Sequence, residues 1–142
     1  MPLNGCPLST PTAVREVAAA RAAGQAELRL GKTAQWIVDR GIPLEMCVSS
    51  NSKGTVVDGI PNHPIDLLRE LGFTLTVNPD NRGMSRTNIS VEFRRIADAF
   101  GWGVDEFTRA ELNAAEAAFL TREEKNQLRE KLVQGIAEFT GR

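Results

Sequence analysis

Two short stretches of this chain hold the residues best able to do chemistry. Asn78-Pro79-Asp80-Asn81-Arg82 sets an amide, a carboxylate, a second amide and a cation side by side. Ser49-Ser50-Asn51 gathers two hydroxyls and an amide. A carboxylate can ligate a metal ion or move a proton, and neighbouring amides and hydroxyls can orient it. Asn and Asp runs are also ordinary turn material, so residue type alone leaves both readings open. Position adds weight. Each stretch follows a run suited to a β-strand, Phe73 to Val77 and Leu44 to Val48. Pro79 has no N–H to give a ladder and must end the second strand. Parallel α/β folds keep their ligand-binding and catalytic groups at such carboxyl ends.

The elements that must position these groups alternate. A helix is expected from Leu30 to Arg40, with Leu30, Ala34, Ile37 and Val38 on one face and Gly41 as its stop. Asn62 reads as the N-cap of a second helix, His63 to Leu71, with Pro64 in its first turn. Helix, strand, helix, strand with short connections is the grammar of a parallel sheet. After Arg82 the pattern is wholly helical. Ser90 to Phe100 carries Val91, Phe93, Ile96, Ala97 and Phe100, and Gly101-Trp102-Gly103 breaks it. Val104 to Phe119 follows, with Phe107, Ala115, Ala118 and Phe119 on one side. Thr121 and Glu124 then form a capping box for a last helix lined by Leu128, Leu132, Ile136 and Phe139. The remaining acidic residues near the strands, Glu45, Asp58 and Glu92, are assigned to an outward strand position, a loop and a solvated helix face. Residues 1–28 form a separate segment: a proline-containing, loosely held lead-in and an alanine-rich helix from Ala13 to Leu28.

A chain of 142 residues suffices for one domain with a real core. Seventeen basic residues against eighteen acidic ones imply no electrostatic funnel for nucleic acid. No apolar run approaches the roughly 18 residues of a membrane span. The first residues lack the charged and apolar regions of a signal peptide, so a cytoplasmic location is expected. Cys6 and Cys47 are too few and too far apart for a disulfide framework or a structural zinc site.

Several motifs in one order carry a resemblance. Ile42-Pro43-Leu44-Glu45-Met46-Cys47-Val48-Ser49-Ser50-Asn51, Asn62-His63-Pro64 and Leu71-Gly72-Phe73 leading into Thr74-Leu75-Thr76-Val77-Asn78-Pro79-Asp80-Asn81-Arg82 are the first three. Met84-Ser85, Phe100-Gly101-Trp102-Gly103, Leu112-Asn113-Ala114 and Ala118-Phe119 continue the series. Together they resemble the carboxyl-terminal part of adenosine deaminases, zinc-dependent barrels of the amidohydrolase type. The resemblance covers residues 29–142, while residues 1–28 match nothing recognisable. It implies an α/β fold: a partial (β/α)8 TIM-type barrel with the last two βα units, followed by three carboxyl-terminal helices.

The resemblance also implies roles. Asp80 takes the position of a zinc ligand, and Asn81 that of a residue touching the purine ring, often a second Asp. Pro79 stands where a Thr is more usual, and Val48 where a Pro follows the Cys. The family reaction is hydrolytic deamination of adenosine to inosine: a zinc-bound hydroxide adds to C6, a Glu shuttles protons, a His steadies charge, and ammonia leaves. The ligand histidines, the His-Ala-Gly-Glu stretch and the Gly-His-Gly stretch of that family have no counterpart among these 142 residues. The single histidine, His63, matches a family position that is not a ligand and is expected to be structural. No catalytic residue is therefore assigned, and the chain by itself is expected to hold no zinc, one carboxylate being too few. A purine nucleoside is a partner only for a complete assembly. The two strands are expected to leave both edges open, favouring self-association or a complementary chain with the other barrel strands. A small non-enzymatic α/β binding or assembly module is the remaining alternative.

Overall fold

The structure is a computed structural model that describes residues 30–53 and 57–141. The expectations for residues 1–28, including the helix at Ala13 to Leu28 and any role of Cys6, lie outside the described residues.

The described chain runs α1 (Lys32–Asp39), β1 (Leu44–Met46), α2 (Val48–Lys53), a 3₁₀ turn (Ile60–Asn62), α3 (Ile65–Glu70) and β2 (Leu75–Val77). It continues through α4 (Arg82–Ser85), α5 (Ile89–Phe100), α6 (Val104–Ala117) and α7 (Arg122–Thr140). β1 and β2 pair in parallel, with Leu44 opposite Leu75, Glu45 opposite Thr76 and Met46 opposite Val77. That register sets their carboxyl ends side by side.

The core lies where α3, α5 and α6 cover the two strands. Met46, Val48, Ile65, Phe73, Leu75, Val77, Ile96, Trp102 and Ala110 form one buried cluster. Phe93 stacks on Phe107 at 4.5 Å between ring centroids. Trp102, buried against Phe107, donates its indole N–H to Asp66 at 2.8 Å. The polar end of the ring is thereby satisfied while its body fills the core.

Several boundaries depart from the sequence reading, each for a visible reason. The first strand ends at Met46 rather than Val48, and Val48 to Lys53 form a helix that was not expected. The Asn51 N–H bonds the Cys47 carbonyl at 2.9 Å, and the Ser49 N–H meets the Glu92 carboxylate at 3.0 Å. β2 begins at Leu75 because the Phe73 N–H is taken by the Leu68 carbonyl at the end of α3. Asn62 does not cap α3. It sits in the 3₁₀ turn and donates to the Asp58 carbonyl, while His63 stays extended, as the residue before a proline prefers. α4 was not expected; Asn81 caps it, accepting the Met84 N–H at 3.0 Å.

The strand edges differ from the expectation of two open ones. In this register Leu75 and Val77 turn their backbone groups away from β1. All three β2 residues are nevertheless buried, and the Asn113 amide of α6 donates to the Leu75 carbonyl at 2.8 Å. β1 has Glu45 exposed and Leu44 half-buried. Glu92 is the clearest correction: on α5 it is fully buried, not solvated.

Candidate functional site

The parallel register brings the two chemistry-bearing stretches together. Ser50, in the first turn of α2, donates its hydroxyl to Oδ2 of Asp80 at 2.6 Å. Asp80 itself is exposed and has φ of 55°, in the left-handed region. Asp tolerates that region better than most residues, at a cost on the order of 1 kcal/mol. Among the described residues Oδ1 of Asp80 has no hydrogen bond. Asn81 is exposed as well; its oxygen is committed to the α4 cap, and its NH₂ makes no bond among the described residues.

Beneath this exposed pair lies a buried polar layer. Oε2 of Glu92 accepts the Ser49 N–H, and Oε1 accepts the Thr87 hydroxyl, with the Arg95 guanidinium 3.9 Å away. Arg95 also donates to the Ser49 hydroxyl. A buried carboxylate costs several kcal/mol unless its oxygens are met in this way.

His63 belongs to the same layer. Its Nδ1 accepts the Ile65 N–H at 3.2 Å, and the Asn51 amide lies 3.0 Å from Nε2. The Asn51 atom facing Nε2 is its amide nitrogen, a donor, and the one lone pair of a neutral imidazole sits on Nδ1 or Nε2 according to the tautomer. Burial lowers the His63 pKa to about 4, although Glu92 pulls the other way. Both nitrogens are thus used inside the protein, at the start of α3, and His63 is not turned to the site as a free base.

Cys47 is half-buried between the strand ends. Burial first, then the negative charges of Asp80, Glu45 and Glu92, push its thiol above the usual range. It is neutral near pH 7 and a poor nucleophile or ligand. Glu45 is exposed on β1 and Asp58 is exposed in the loop before the 3₁₀ turn.

The donor set can be tested against a metal ion directly. Among the described residues no three His, Cys, Asp or Glu side chains come together as a metal would require. Asp80 offers one carboxylate oxygen with its orientation fixed. A catalytic zinc needs about three protein ligands, so these residues do not make a site for one by themselves.

Sequence reasoning singled out Asp80 and Asn81 but missed Ser50, Thr87 and Glu92 as their support. One signal for Glu92 was available. It lies four residues before Ile96 and three after Ile89, on the apolar stripe of α5 and not on its polar face.

Comparison with known proteins bears on the arrangement. A family model described as Adenosine deaminase matches residues 5–135. Adenosine deaminase 1 of Streptomyces coelicolor is 43% identical over 98 residues, 69% of this chain and 25% of that protein. Adenosine deaminase of Mycolicibacterium vanbaalenii is 40% identical over 106 residues, 75% of this chain and 29% of that one. That of Mycobacterium avium is 40% identical over 108 residues, 76% and 30%. The chain thus spans about a quarter to three tenths of the length of these curated relatives. Among solved structures, an adenine deaminase from Arthrobacter aurescens superposes with a TM-score of 0.71 at 20% identity, covering 75% of this chain and 33% of that one. The ADAL–IMP complex gives 0.69 at 23% identity, covering 78% and 33%. At such identities the likeness is one of fold: a partial (β/α)8 barrel of the TIM type.

Proposed function

The chain belongs to the adenosine deaminase family, and from that premise we propose that it is the carboxyl-terminal part of an adenosine deaminase-like zinc hydrolase, catalytically incomplete as this polypeptide. The observation that carries the reading is Asp80, exposed at the end of β2 with one oxygen held by Ser50 and the other unbonded among the described residues. That exposure and the outward oxygen support reading Asp80 as one ligand. The other ligands, and the groups that move protons, are not among these residues: the chain has one histidine, His63, and both its nitrogens are engaged within the fold.

In a complete assembly Asp80 would be one zinc ligand, and zinc would supply a hydroxide near neutral pH. Asn81 would offer its NH₂ to a purine ring nitrogen. The reaction would release ammonia from adenosine to give inosine, a step of purine metabolism in the cytoplasm. No nucleic acid or membrane is part of this reading; among the described residues no helix is long and apolar enough to cross a bilayer.

A second reading is a two-part enzyme, in which another chain supplies the other barrel strands. The exposed outer edge of β1 at Glu45 favours it, since Glu45 directs its backbone N–H and C=O away from β2. Self-association through the same edge is the competing use of that surface.

The purified chain should contain far less than one zinc per polypeptide by metal analysis and should convert no adenosine to inosine. Activity that arises only on adding a polypeptide with the remaining strands selects the two-part enzyme. Stoichiometric zinc with turnover by this chain alone overturns the proposal.

A further inference from the structure

Three features converge on Asp80 from within the fold. Its own backbone is left-handed, its Oδ2 is bonded by Ser50, and Ser50 stands one residue after the Ser49 N–H that Glu92 holds. Glu92 is 0% exposed, and its two oxygens reach different elements: Ser49 on α2 and Thr87 before α5. A hydrocarbon side chain would fill that space without the cost of burying a charge. What a carboxylate adds is direction, because it holds an N–H that the first turn of a helix otherwise leaves unbonded. Arg95, from the same helix, fixes the Ser49 hydroxyl and leaves that residue little freedom.

From this geometry we infer that Glu92 is a positioning residue for Asp80, acting through the first turn of α2 and the Ser50 hydroxyl. Glu92 anchors Ser49, the anchored turn aims Ser50, and Ser50 holds one oxygen of Asp80 so that the other points outward in a single orientation. The inference deepens the reading of Asp80 as a ligand and rests on it for its functional meaning. It does not rest on it for its test, which contains no metal.

The test is solution NMR of the labelled, metal-free chain at one neutral pH, reading the Asp80 side-chain carboxyl carbon, assigned with Asp80→Asn. Ser50→Ala defines the displacement caused by losing the hydroxyl. Glu92→Gln should move the Asp80 resonance in the same direction by roughly half that displacement or more. In the Ser50→Ala background it should move it hardly at all, since residues acting in series are non-additive. Arg95→Met, at a side chain about a third exposed, loosens Ser49 from the solvent side and should give a smaller shift of the same sign. It decides the matter should Glu92→Gln not fold. A merely structural Glu92 would lower stability and leave the Asp80 carbon where it is. An unmoved Asp80 carbon in folded Glu92→Gln, or in Arg95→Met with the Ser49 amide displaced, overturns the inference. So does equal movement with and without the Ser50 hydroxyl.

Discussion

Around the carboxyl ends of β1 and β2, Ser49, His63, Thr76, Thr87 and Glu92 are buried polar residues. Among the described residues no buried side-chain nitrogen or oxygen lacks a hydrogen-bond partner. Along α7, by contrast, no side chain is buried at all, and Phe139 is 83% exposed. An apolar cleft of about 360 Å³ opens beneath that helix, lined by Phe93, Phe107, Leu132, Ile136 and Phe139 among others. Glu111 also lines it, and burial raises its pKa. The two regions differ in what fixes them. At the strand ends, directional bonds between distant residues select one arrangement. On α7, local signals make a helix, and side-chain packing anchors it weakly. The hydrogen bond that Asp80 accepts from Ser50 belongs to the first kind of construction.

Three measurements would sharpen or break that contrast. The largest effect is expected from Ile96→Ala. Ile96 is 0% exposed at the centre of the cluster beneath the strand ends. Losing its methylenes and leaving a cavity should lower the unfolding free energy by about 3 kcal/mol, seen in urea titration. A loss below about 1 kcal/mol would mean that the core is not packed as described.

Acid comes next. His63 is neutral in the fold, with a pKa of about 4 against about 6.5 when unfolded. Below about pH 6.5 the unfolded state takes up a proton that the folded state refuses, so unfolding is favoured as pH falls. The stability contributed by the neutral ring is thus complete above pH 6.5 and is lost progressively down to about pH 4, where the loss amounts to about 3 kcal/mol. His63→Gln should flatten stability between these limits. An unchanged slope would show that His63 is not the titrating group.

The smallest effect is expected on α7. Thr121→Ala removes the hydroxyl that accepts the Glu124 N–H at 3.3 Å, while the reciprocal bond from the Thr121 backbone N–H to the Glu124 carboxylate stays. A cap is worth about 1 kcal/mol. Because α7 buries no side chain, the change should emerge as faster amide exchange confined to its first turns, with little movement of the global midpoint. A full drop in the global midpoint would show that α7 folds cooperatively with the strand-end core, and the contrast would fail.

Much of this was legible from the chain itself, and the residues say why. Gly41, with φ of 59°, ends α1 as expected. Pro79 follows directly on the end of the β2 ladder, and Thr121 with Glu124 caps α7 as their spacing requires. Asp80 and Asn81 follow β2, as the strand reading expects. Other assignments failed for a common cause. Glu92 was read as solvated because a charge on a helix usually is, and Asn62 as a cap because its type suits one. In both cases a partner elsewhere in the chain or the local backbone decided otherwise.

The sequence by itself determined the alternation of elements, their caps and stops, the family, and which carboxylate stands at a strand end. All of these depend on residues close together along the chain, where spacing and steric preference act directly. Only the tertiary structure decided that Ser50 holds Asp80 and that Glu92 holds Ser49, because those bonds span 30 and 43 residues. It also decided that His63 is spent on backbone and amide. Such contacts form when a parallel register and a packed core bring distant residues within hydrogen-bond reach, and no local pattern encodes that distance.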